Sequence, residues 1–476
     1  MKISILLPYK ENFSPIYAGA VSLFVKDTVK ISKYKNNITI YGNTNLKRIY
    51  NLKYSNLDLK KDLLASQSKT YVDRFIDEET KNKSDIIEVH NRPIYIKYLI
   101  NEKVDSNFVL YFHNDPLSMT GSKTINDRKL LLSKCEKVIF NSQWSKKRFL
   151  QGIKSSFINS DKLLVIYQSA KKSKINKTKK LKWITFVGKL NKSKGYDIYG
   201  NAVCKILDKY KDWRGIVIGD EQRDKIIFQH KNLKILGFLK HEKVLDILSK
   251  TSIAVACSRW DEPLGRTSLE ASSKGCAVII SNKGGLPETV TNAIILKQLS
   301  QKNLYDKLRL LIKNSKLRKR YQNLSRKNFF LTHEKSAKEI DNYRNELTAK
   351  VSKPALNNNN YDCLKILHVT NFNERHDGRL FFNSGRRINN GLIRMGHSVL
   401  EFSDRDIQKH YKSLNDFDGS KKLNEKLIVT CYNFKPDLII LGHADSIYPE
   451  TLRHIKKNYP NLKIAQWFLD PLNKNG

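Results

Sequence analysis

The sequence predicts an α/β protein whose strands form parallel sheets, with three such units along the chain. Short apolar runs alternate with segments in which apolar residues recur at helical spacing, as in sheets whose parallel strands are connected by helices. The alternation restarts twice, after the cationic segment 171–182 and after an asparagine run at 357–360. The length of 476 residues and the hydrophobic fraction of 40% allow about three domains with cores of their own.

The first unit, residues 1–170, is predicted to hold five parallel strands. They are Ile3–Leu7, Ile38–Tyr41, Ile86–His90, Phe108–His113 and Val138–Asn141. A helix is expected over Val21–Lys33, and Gly19 precedes it in the loop after the first strand. A glycine there lets a ligand approach the backbone closely, although loop flexibility alone explains it equally well.

Polar side chains end two of these strands. His90-Asn91 closes the third strand and His113-Asn114 the fourth, with Asp115 next. Ligands of open α/β sheets bind outside the carboxyl ends of strands, so two such pairs favour a site, whereas a single histidine there is more often structural. The spacing gives no support to metal binding, because no carboxylate–histidine pattern repeats.

The second unit, residues 183–328, follows the cationic segment, which we interpret as an interdomain linker. Its strand candidates are Trp183–Val187, Gly215–Ile218, Leu233–Leu236, Ile253–Cys257, Ala277–Ser281 and Ala293–Leu296. Lys189 and Lys194 flank the turn after the first of these strands. In a sheet with right-handed crossovers, this turn lies beside the end of the strand Ile253–Cys257.

The stretch from Ser258 to Val290 carries the strongest indication of a site. A turn containing Glu262 and Gly265 joins the buried strand to a helix predicted over Thr267–Ser273. The free N–H groups and the dipole of a helix N-terminus favour an anion. Glu262 and Glu270 could bracket a polar ligand across the helix start, and a capped surface helix with two solvated carboxylates is the alternative.

The string from Glu262 to Glu270 resembles the Glu-x7-Glu signature of the family 4 retaining glycosyltransferases. Val187-Gly-Lys189-Leu and Lys194-Gly195 are similar to the element of that family that holds the donor pyrophosphate, with Lys189 where arginine is commoner. Lysine keeps the charge but loses the bidentate fork of arginine. The resemblance implies a GT-B fold, in which two Rossmann-like domains face a cleft, with nucleotide-sugar in the second and acceptor in the first.

The resemblance also assigns roles around the donor. It implies that Lys189 and Lys194 hold the diphosphate without a metal ion and that Glu262 and the backbone after it hold the sugar. It further implies that Glu270 accepts hydrogen bonds from the ribose hydroxyls. The backbone positions implied for the donor site are Leu264, Gly265 and Arg266. Gly285 belongs to the loop that is implied to close beside the base and phosphates.

Two further residues are carried over onto the first domain. His113 matches the cleft histidine of the family and is expected to contact the sugar or to orient the acceptor. Gly19 matches the glycine loop after the first strand, although the usual double glycine is absent. The residues predicted to carry catalysis are His113, Lys194 and Glu262, while His90 and Asp115 are weaker candidates.

Residues 329–350 are predicted to form a C-terminal helix that returns to the first domain, and residues 351–361 a linker. Residues 362–476 resemble the N-terminal half of another glycosyltransferase of the same class, the spore-maturation type. Strands are expected at Leu364–Val369, Ser398–Phe402, Leu438–Leu441 and Lys463–Trp467, and helices at Ser384–Met395 and Leu423–Phe434. This third Rossmann-like half-module lacks a Glu-x7-Glu string. A truncated tandem enzyme, an acceptor-binding module and a packing role all remain open.

Composition restricts the partners. The formal net charge is +41 at pH 7, spread along a chain that is also rich in Asn and Ile, so coding bias explains part of it and anionic ligands or surfaces the rest. No helix-turn-helix, zinc or RNA-binding signature indicates a specific nucleic acid. Six scattered cysteines favour a reduced cytosolic setting. We find no signal peptide and no apolar run of about 18 residues, so we expect a cytoplasmic protein with at most peripheral contact with an anionic membrane.

The sequence thus predicts a retaining hexosyltransferase that moves a sugar from a nucleotide-sugar donor to a glycan or lipid-linked acceptor. The class suggests a role in surface polysaccharide or lipopolysaccharide synthesis, and the chemistry is expected to need no metal cofactor. The alternatives are a sugar-nucleotide epimerase or phosphorylase on the same fold, and a non-catalytic glycan-binding scaffold.

Overall fold

The computed structural model describes residues 1–58, 66–173, 179–221, 226–352 and 363–469. The chain divides into two compact units, residues 1–354 and 355–476. The first unit contains two parallel sheets and the second unit contains one. We call the parts of the first unit built on its two sheets the first lobe and the second lobe.

The first lobe is built on a seven-stranded parallel sheet of order β3-β2-β1-β4-β5-β6-β7. The strands are β1 Ile3–Leu6, β2 Ile38–Gly42, β3 Tyr54–Asn56, β4 Ile86–His90, β5 Asn107–Phe112, β6 Lys137–Phe140 and β7 Leu163–Val165. The helices are α1 Ala20–Val29, α2 Gln67–Lys81, α3 Pro93–Asn101, α4 Ile125–Lys134 and α5 Gln143–Leu150. Helices cover both faces of the sheet, so every residue of its central strands β1 and β4 is buried.

The second lobe is built on a six-stranded parallel sheet of order β10-β9-β8-β11-β12-β13. The strands are β8 Leu181–Val187, β9 Arg214–Ile218, β10 Leu233–Ile235, β11 Thr251–Ala256, β12 Ala277–Ser281 and β13 Ala293–Leu296. The helices are α6 Tyr196–Lys209, α7 His241–Lys250, α8 Arg266–Ser273, α9 Gln301–Lys313 and α10 Ser315–Lys327. β8 begins inside the segment predicted as a linker, of which residues 174–178 lie outside the described part.

The last helix of the first unit, α11 (His333–Ser352), packs against the first lobe. Its Arg344 donates to both carboxylate oxygens of Glu88 on β4, at 2.7 and 2.8 Å, and both side chains are buried. Tyr343 donates to the same carboxylate, so the charge is paired and hydrogen-bonded as a buried ion requires. The chain therefore completes its first lobe with residues that follow the second.

The second unit has a four-stranded parallel sheet of order β15-β14-β16-β17. Its strands are β14 Lys365–Thr370, β15 Ser398–Ser403, β16 Leu438–Gly442 and β17 Lys463–Trp467, and its helices are α12 Ser384–Arg394, α13 Asp404–His410, α14 Ser420–Phe434 and α15 Pro449–Asn458. The sheet has its own apolar core with α14, including Leu367, Leu427 and Ile439. Of the segment predicted as a linker, residues 353–361 lie outside the described part.

The predicted α/β fold with three parallel, Rossmann-like sheets is confirmed. Two details of the prediction were wrong. The short strands β3 and β7 were missed, because each has three residues and lies at or near an edge of the sheet. The helix predicted over Val21–Lys33 ends at Val29, and the Lys33 N–H donates to the carboxylate of Asp341 on α11, which also accepts from the Ser32 hydroxyl.

Candidate active site

A cavity of about 260 Å³ lies between the two lobes, at the carboxyl ends of both parallel sheets. The first lobe contributes the polar side chains that follow β5, β6 and β7 and the first residue of α1. The second lobe contributes the end of β8, the turn after β11 and the start of α8. The lining residues used below are Ala20, His113, Asn141, Gln168, Lys194, Glu262, Leu264, Gly265, Arg266, Thr267 and Leu286. Carboxyl ends of strands are where open α/β sheets bind ligands.

The N-terminus of α8 faces this cavity. Gly265 caps the helix with φ of 101°, and a Cβ at this position would lie 2.2 Å from Cδ1 of Leu286. The left-handed backbone and the contact both require glycine. Among the described residues, no side chain accepts from the N–H groups of Arg266 and Thr267, which are therefore free for an anion at the positive end of the helix dipole.

Lys194 and Glu262 form an ion pair in the cavity. The Lys194 Nζ lies 2.6 Å from Oε1 of Glu262, and both side chains are partly exposed to the cleft. Gly195 holds the lysine turn against the end of β11, since a Cβ there would lie 1.9 Å from the carbonyl oxygen of Cys257. The two residues assigned by resemblance to donor phosphate and donor sugar thus neutralise one another in this structure.

Arg266 connects the cavity to its surroundings. Its Nε donates to Oε1 of Glu270 at 2.7 Å, and its Nη2 lies 3.5 Å from Oδ2 of Asp27 on α1. Its Nη1 is buried and has no hydrogen-bond partner in the described part of the chain. A buried unsatisfied guanidinium donor is costly, so a ligand that supplies an acceptor at this point is favoured.

Glu270 does not line this cavity. It is buried, accepts hydrogen bonds from Arg266 and His241, and lines an adjoining cavity of about 520 Å³ together with Asp27 and His333. Burial opposes its ionisation, yet Arg266 and His241 hold the pKa of the Glu270 carboxyl below its usual value. Arg266 lines both cavities, so the two signature glutamates lie on either side of one guanidinium.

His113 lies at the first-lobe wall of the cavity with both ring nitrogens engaged. Its Nδ1 is 3.3 Å from the amide nitrogen of Gln168, and its Nε2 is 3.1 Å from Nδ1 of His90. Since the Gln168 amide donates, His113 carries its proton on Nε2 and donates it to His90. His90 then carries a proton on Nε2, the atom that is buried without a partner in the described part.

The histidine pair is uncharged. Burial and the charge of Arg344 lower the pKa of His90 to about 3. Burial, His90 and Arg266 lower the pKa of His113 well below its usual range. Phe24 of α1 covers both rings, with ring centroids 5.2 Å from His113 and 6.3 Å from His90. An imidazolium is therefore disfavoured here, and a neutral His113 can hydrogen-bond a substrate through its ring only in exchange for its contact with Gln168 or His90.

Other predicted residues lie outside the cavity. Gly19 caps α1, and a Cβ there would lie 2.3 Å from the Glu11 carboxylate, which already accepts from the Ser22 N–H of the helix start. Lys189 is exposed to solvent. Gly285 packs against Pro263 and Ser142 behind the cavity wall, and Asp115 is paired with Arg148 at 3.0 Å.

The sequence did not single out Gln168, Asp27 and His241. Gln168 comes two residues after Ile166, just beyond the missed strand β7, so recognising that strand would have placed it at a carboxyl end. His241 begins α7 shortly after β10, which is a comparable signal. Asp27 lies inside α1, and no spacing rule indicates that it faces Arg266.

The described ranges contain no group of three or more His, Cys, Asp or Glu side chains placed to hold a metal ion. They also contain no helix that combines the length and the apolar character needed to cross a membrane.

Comparison with known proteins identifies the class of the second lobe. Residues 168–328 match the family model described as Glycosyl transferases group 1. Spore coat protein SA of Bacillus subtilis (strain 168) is 22% identical over 368 residues, which cover 69% of this chain and 94% of that protein.

Solved structures show the same fold. HepE from Anabaena in complex with UDP-glucose is 16% identical, covers 73% of this chain and 100% of its own, and has a TM-score of 0.56. The apo form of the lipopolysaccharide outer core galactosyltransferase WaaB is 14% identical, covers 74% and 100%, and has a TM-score of 0.51. The predictions of a GT-B fold and of a glycosyltransferase are confirmed, the latter by the group 1 domain at residues 168–328.

Proposed function

We propose that this chain, which carries a group 1 glycosyl transferase domain in a GT-B fold, is a retaining transferase that uses a nucleotide-sugar. The sugar would pass to a glycan or lipid-linked acceptor in surface polysaccharide or lipopolysaccharide synthesis. The observation that carries the proposal is a cavity at the carboxyl ends of both sheets, to which the start of α8, Lys194 and Arg266 bring positive charge. UDP-glucose in HepE and the galactosyltransferase WaaB support the donor class and the pathway class.

The donor diphosphate fits the second-lobe wall. Its oxygens would accept from the N–H groups of Arg266 and Thr267 and from the unpaired Nη1 of Arg266, with Lys194 as a further charge. Donors fixed in advance around a developing charge stabilise a leaving group without reorganisation. The same groups supply the positive charge that a metal ion would otherwise provide, so metal-independent transfer remains our prediction.

The sugar and the nucleoside would lie on either side of Arg266. Glu262 would exchange part of its contact with Lys194 for hydrogen bonds from the sugar hydroxyls. Both carboxylate oxygens can accept such bonds. Glu270 would accept from the ribose hydroxyls in the adjoining cavity. Its lowered pKa keeps it ionised, which that role requires.

The reaction would take place on one face of the sugar. The bond from the anomeric carbon to the diphosphate oxygen breaks, and a bond to the acceptor oxygen forms on the same face. The proton of the acceptor hydroxyl moves to the departing diphosphate, so no glycosidase-like pair of carboxylates is needed. His113, neutral and next to Gln168, would orient the sugar or the acceptor by hydrogen bonding.

The acceptor side remains a proposal supported by charge. With a net charge of +41, the chain suits an anionic acceptor or an anionic membrane surface at which a lipid-linked acceptor is presented. Peripheral contact with such a membrane is the arrangement that we propose for a cytoplasmic enzyme of this class.

A donor screen followed by a transfer assay tests the proposed function. Nucleotide-sugars are first screened for thermal stabilisation of the full chain, because a ligand that binds only the native state raises its melting temperature. Each stabilising donor is then assayed with a panel of glycan and lipid-linked acceptors, with and without a chelator. We expect acceptor-dependent, chelator-insensitive release of the nucleotide with the anomeric configuration retained.

Two variants make the assay specific to the site. Glu262→Ala should abolish transfer, whereas Glu339→Gln, on α11 and away from the cavity, should retain it. Wild-type transfer by Glu262→Ala contradicts the site assignment. A product that forms from the donor without any acceptor favours an epimerase, and glycan binding without turnover favours a scaffold.

A further inference from the structure

A carboxylate of the second lobe binds a helix start of the first lobe behind the cavity. Glu288 Oε2 accepts from the Gln143 N–H at 2.7 Å, and Oε1 accepts from the Trp144 N–H at 2.9 Å. Tyr167, in the segment that joins the lobes, donates to Oε2 at 2.9 Å. We call these three hydrogen bonds the Glu288 contact.

The Glu288 contact satisfies groups that a helix leaves free. The first N–H groups of α5 have no partner within the helix, and of these groups the Ser142 hydroxyl at the N-cap accepts only from the Ser145 N–H. A carboxylate at the positive end of the helix dipole is doubly favourable, by charge and by hydrogen bonding. Because the carboxylate belongs to the other lobe, this stabilisation exists only while the lobes are closed.

On the second lobe, the contact is continuous with the Glu262 turn. Glu288 lies one turn after Gly285 along the chain, and its N–H donates to the Gly285 carbonyl oxygen. The Gly285 N–H in turn donates to the Glu262 carbonyl oxygen at 2.6 Å. The Ser142 hydroxyl donates to the Pro263 carbonyl oxygen at 2.5 Å. A Cβ on Gly285 would lie 2.9 Å from Cβ of Ser142 on the first lobe, so this approach of the lobes needs glycine.

On the first lobe, the contact is continuous with His113. Ser145 of α5 donates to Oδ1 of Asn141, and the Asn141 amide donates to the His113 carbonyl oxygen at 2.9 Å. Asn141 lines the cavity as well. Through the backbone of α5 and these hydrogen bonds, one carboxylate therefore connects the two walls of the cavity without lining the cavity itself.

We infer that Glu288 is a positioning residue that couples closure of the two lobes to the correct placement of Glu262 and His113. This inference rests on the proposed function for its kinetic part, and on the contacts alone for its structural part. The groups that we assign to the donor diphosphate and ribose all lie on the second lobe, so loss of the contact should affect turnover more than donor binding.

Hydrogen exchange tests the structural part without any substrate. In the full chain, amides of a peptide covering residues 141–150 should exchange about tenfold or more faster in Glu288→Ala than in the wild type, since hydrogen bonds to a charged acceptor are lost. Tyr167→Phe, which removes one hydroxyl, should give a smaller increase. Glu450→Gln, a charge-matched control at an exposed position on α15, should leave this peptide unchanged.

Kinetics tests the coupling. With the donor found in the screen, Glu288→Ala should lower kcat by about tenfold or more while the donor KM changes by less than about threefold, and Glu288→Gln should lie between it and the wild type. A general structural defect would instead lower the melting temperature and raise exchange throughout the second lobe.

The possible failures are separable. Wild-type exchange at residues 141–150 in Glu288→Ala overturns the inference whatever the activity, and so does an active variant with wild-type kcat. If the wild type transfers no sugar from any donor, the proposed function fails, and the exchange result still decides whether Glu288 holds the lobes together.

Discussion

The helices α1 and α8 begin in similar surroundings and differ in what they offer a ligand. Each follows the carboxyl end of a parallel strand, each has a glycine at its N-cap, and the first residue of each lines the cavity. At α1 the Glu11 carboxylate accepts from the Ser22 N–H, so the positive end of this helix is already neutralised. At α8 the first N–H groups are open to the cavity. A glycine before a helix is therefore not sufficient for an anion site. The first N–H groups of the helix must also be free of a carboxylate from the same lobe.

The largest expected effect concerns the charge beside α8. Lys194→Ala should lower transfer by about 100-fold, because it removes a cation next to the leaving group and leaves Glu262 unpaired. Lys189→Ala, five residues earlier and exposed, should lower transfer far less. The kcat/KM for the donor measures both. Equal losses of kcat/KM in the two variants would show that the position of Lys194 in the cavity gives its charge no special effect on transfer.

The second prediction exchanges the two cap glycines for alanine. Gly265→Ala forces a side chain into a left-handed backbone and against Leu286, so it should lower the free energy of unfolding by about 1–3 kcal/mol and weaken donor binding. Gly19 has φ of −79°, and its added Cβ would meet only the end of the Glu11 side chain, so the change should be smaller. Urea denaturation of the full chain and donor titration check this. A larger loss of unfolding free energy in Gly19→Ala than in Gly265→Ala would contradict this prediction.

The smallest expected effect concerns the protonation of His90, whose ring is covered by Phe24 of α1. Because the folded-state pKa of His90 lies near 3, the unfolded chain binds one more proton than the native chain between about pH 3 and pH 6.5. Stability is therefore lost as the pH falls below 6.5, by about 1.4 kcal/mol at pH 5.5 for this residue.

The variant His90→Asn isolates this term, since its amide oxygen can still accept from His113. Urea denaturation at pH 7.5 and pH 5.5 should show a pH-dependent loss of stability about 1.4 kcal/mol smaller in the variant than in the wild type. The remaining loss comes from other groups, among them His113 and His333, whose pKa values burial also lowers. An identical loss in both proteins would mean that His90 is protonated in the native state.

Sequence patterns predicted the elements whose residues interact locally. The central strands of all three sheets were found, because continuous apolar runs such as Phe108–Phe112 are imposed by burial on both faces. His113, Lys194, Glu262 and Arg266 were named from residue type and resemblance, and the structure brings them to one cavity.

Contacts between distant side chains could not be predicted. The Glu288 contact, the approach of Asp27 to Arg266 and the Glu11 carboxylate at α1 depend on how lobes and loops fold together, and no periodicity encodes them. The same reason explains Glu270, which the resemblance placed at the ribose and which is held by Arg266 and His241 in a second cavity.

The ion pair between Glu88 and Arg344 bears on how the chain is made. The two residues are 256 positions apart, with the whole second lobe between them. At ordinary rates of protein synthesis, Glu88 waits on the order of tens of seconds for its cation, during which the nascent first lobe must keep a carboxylate hydrated at the centre of its sheet. Final consolidation of that lobe is then a late event, and a ribosome stalled before α11 would expose an incomplete domain to chaperones and proteases.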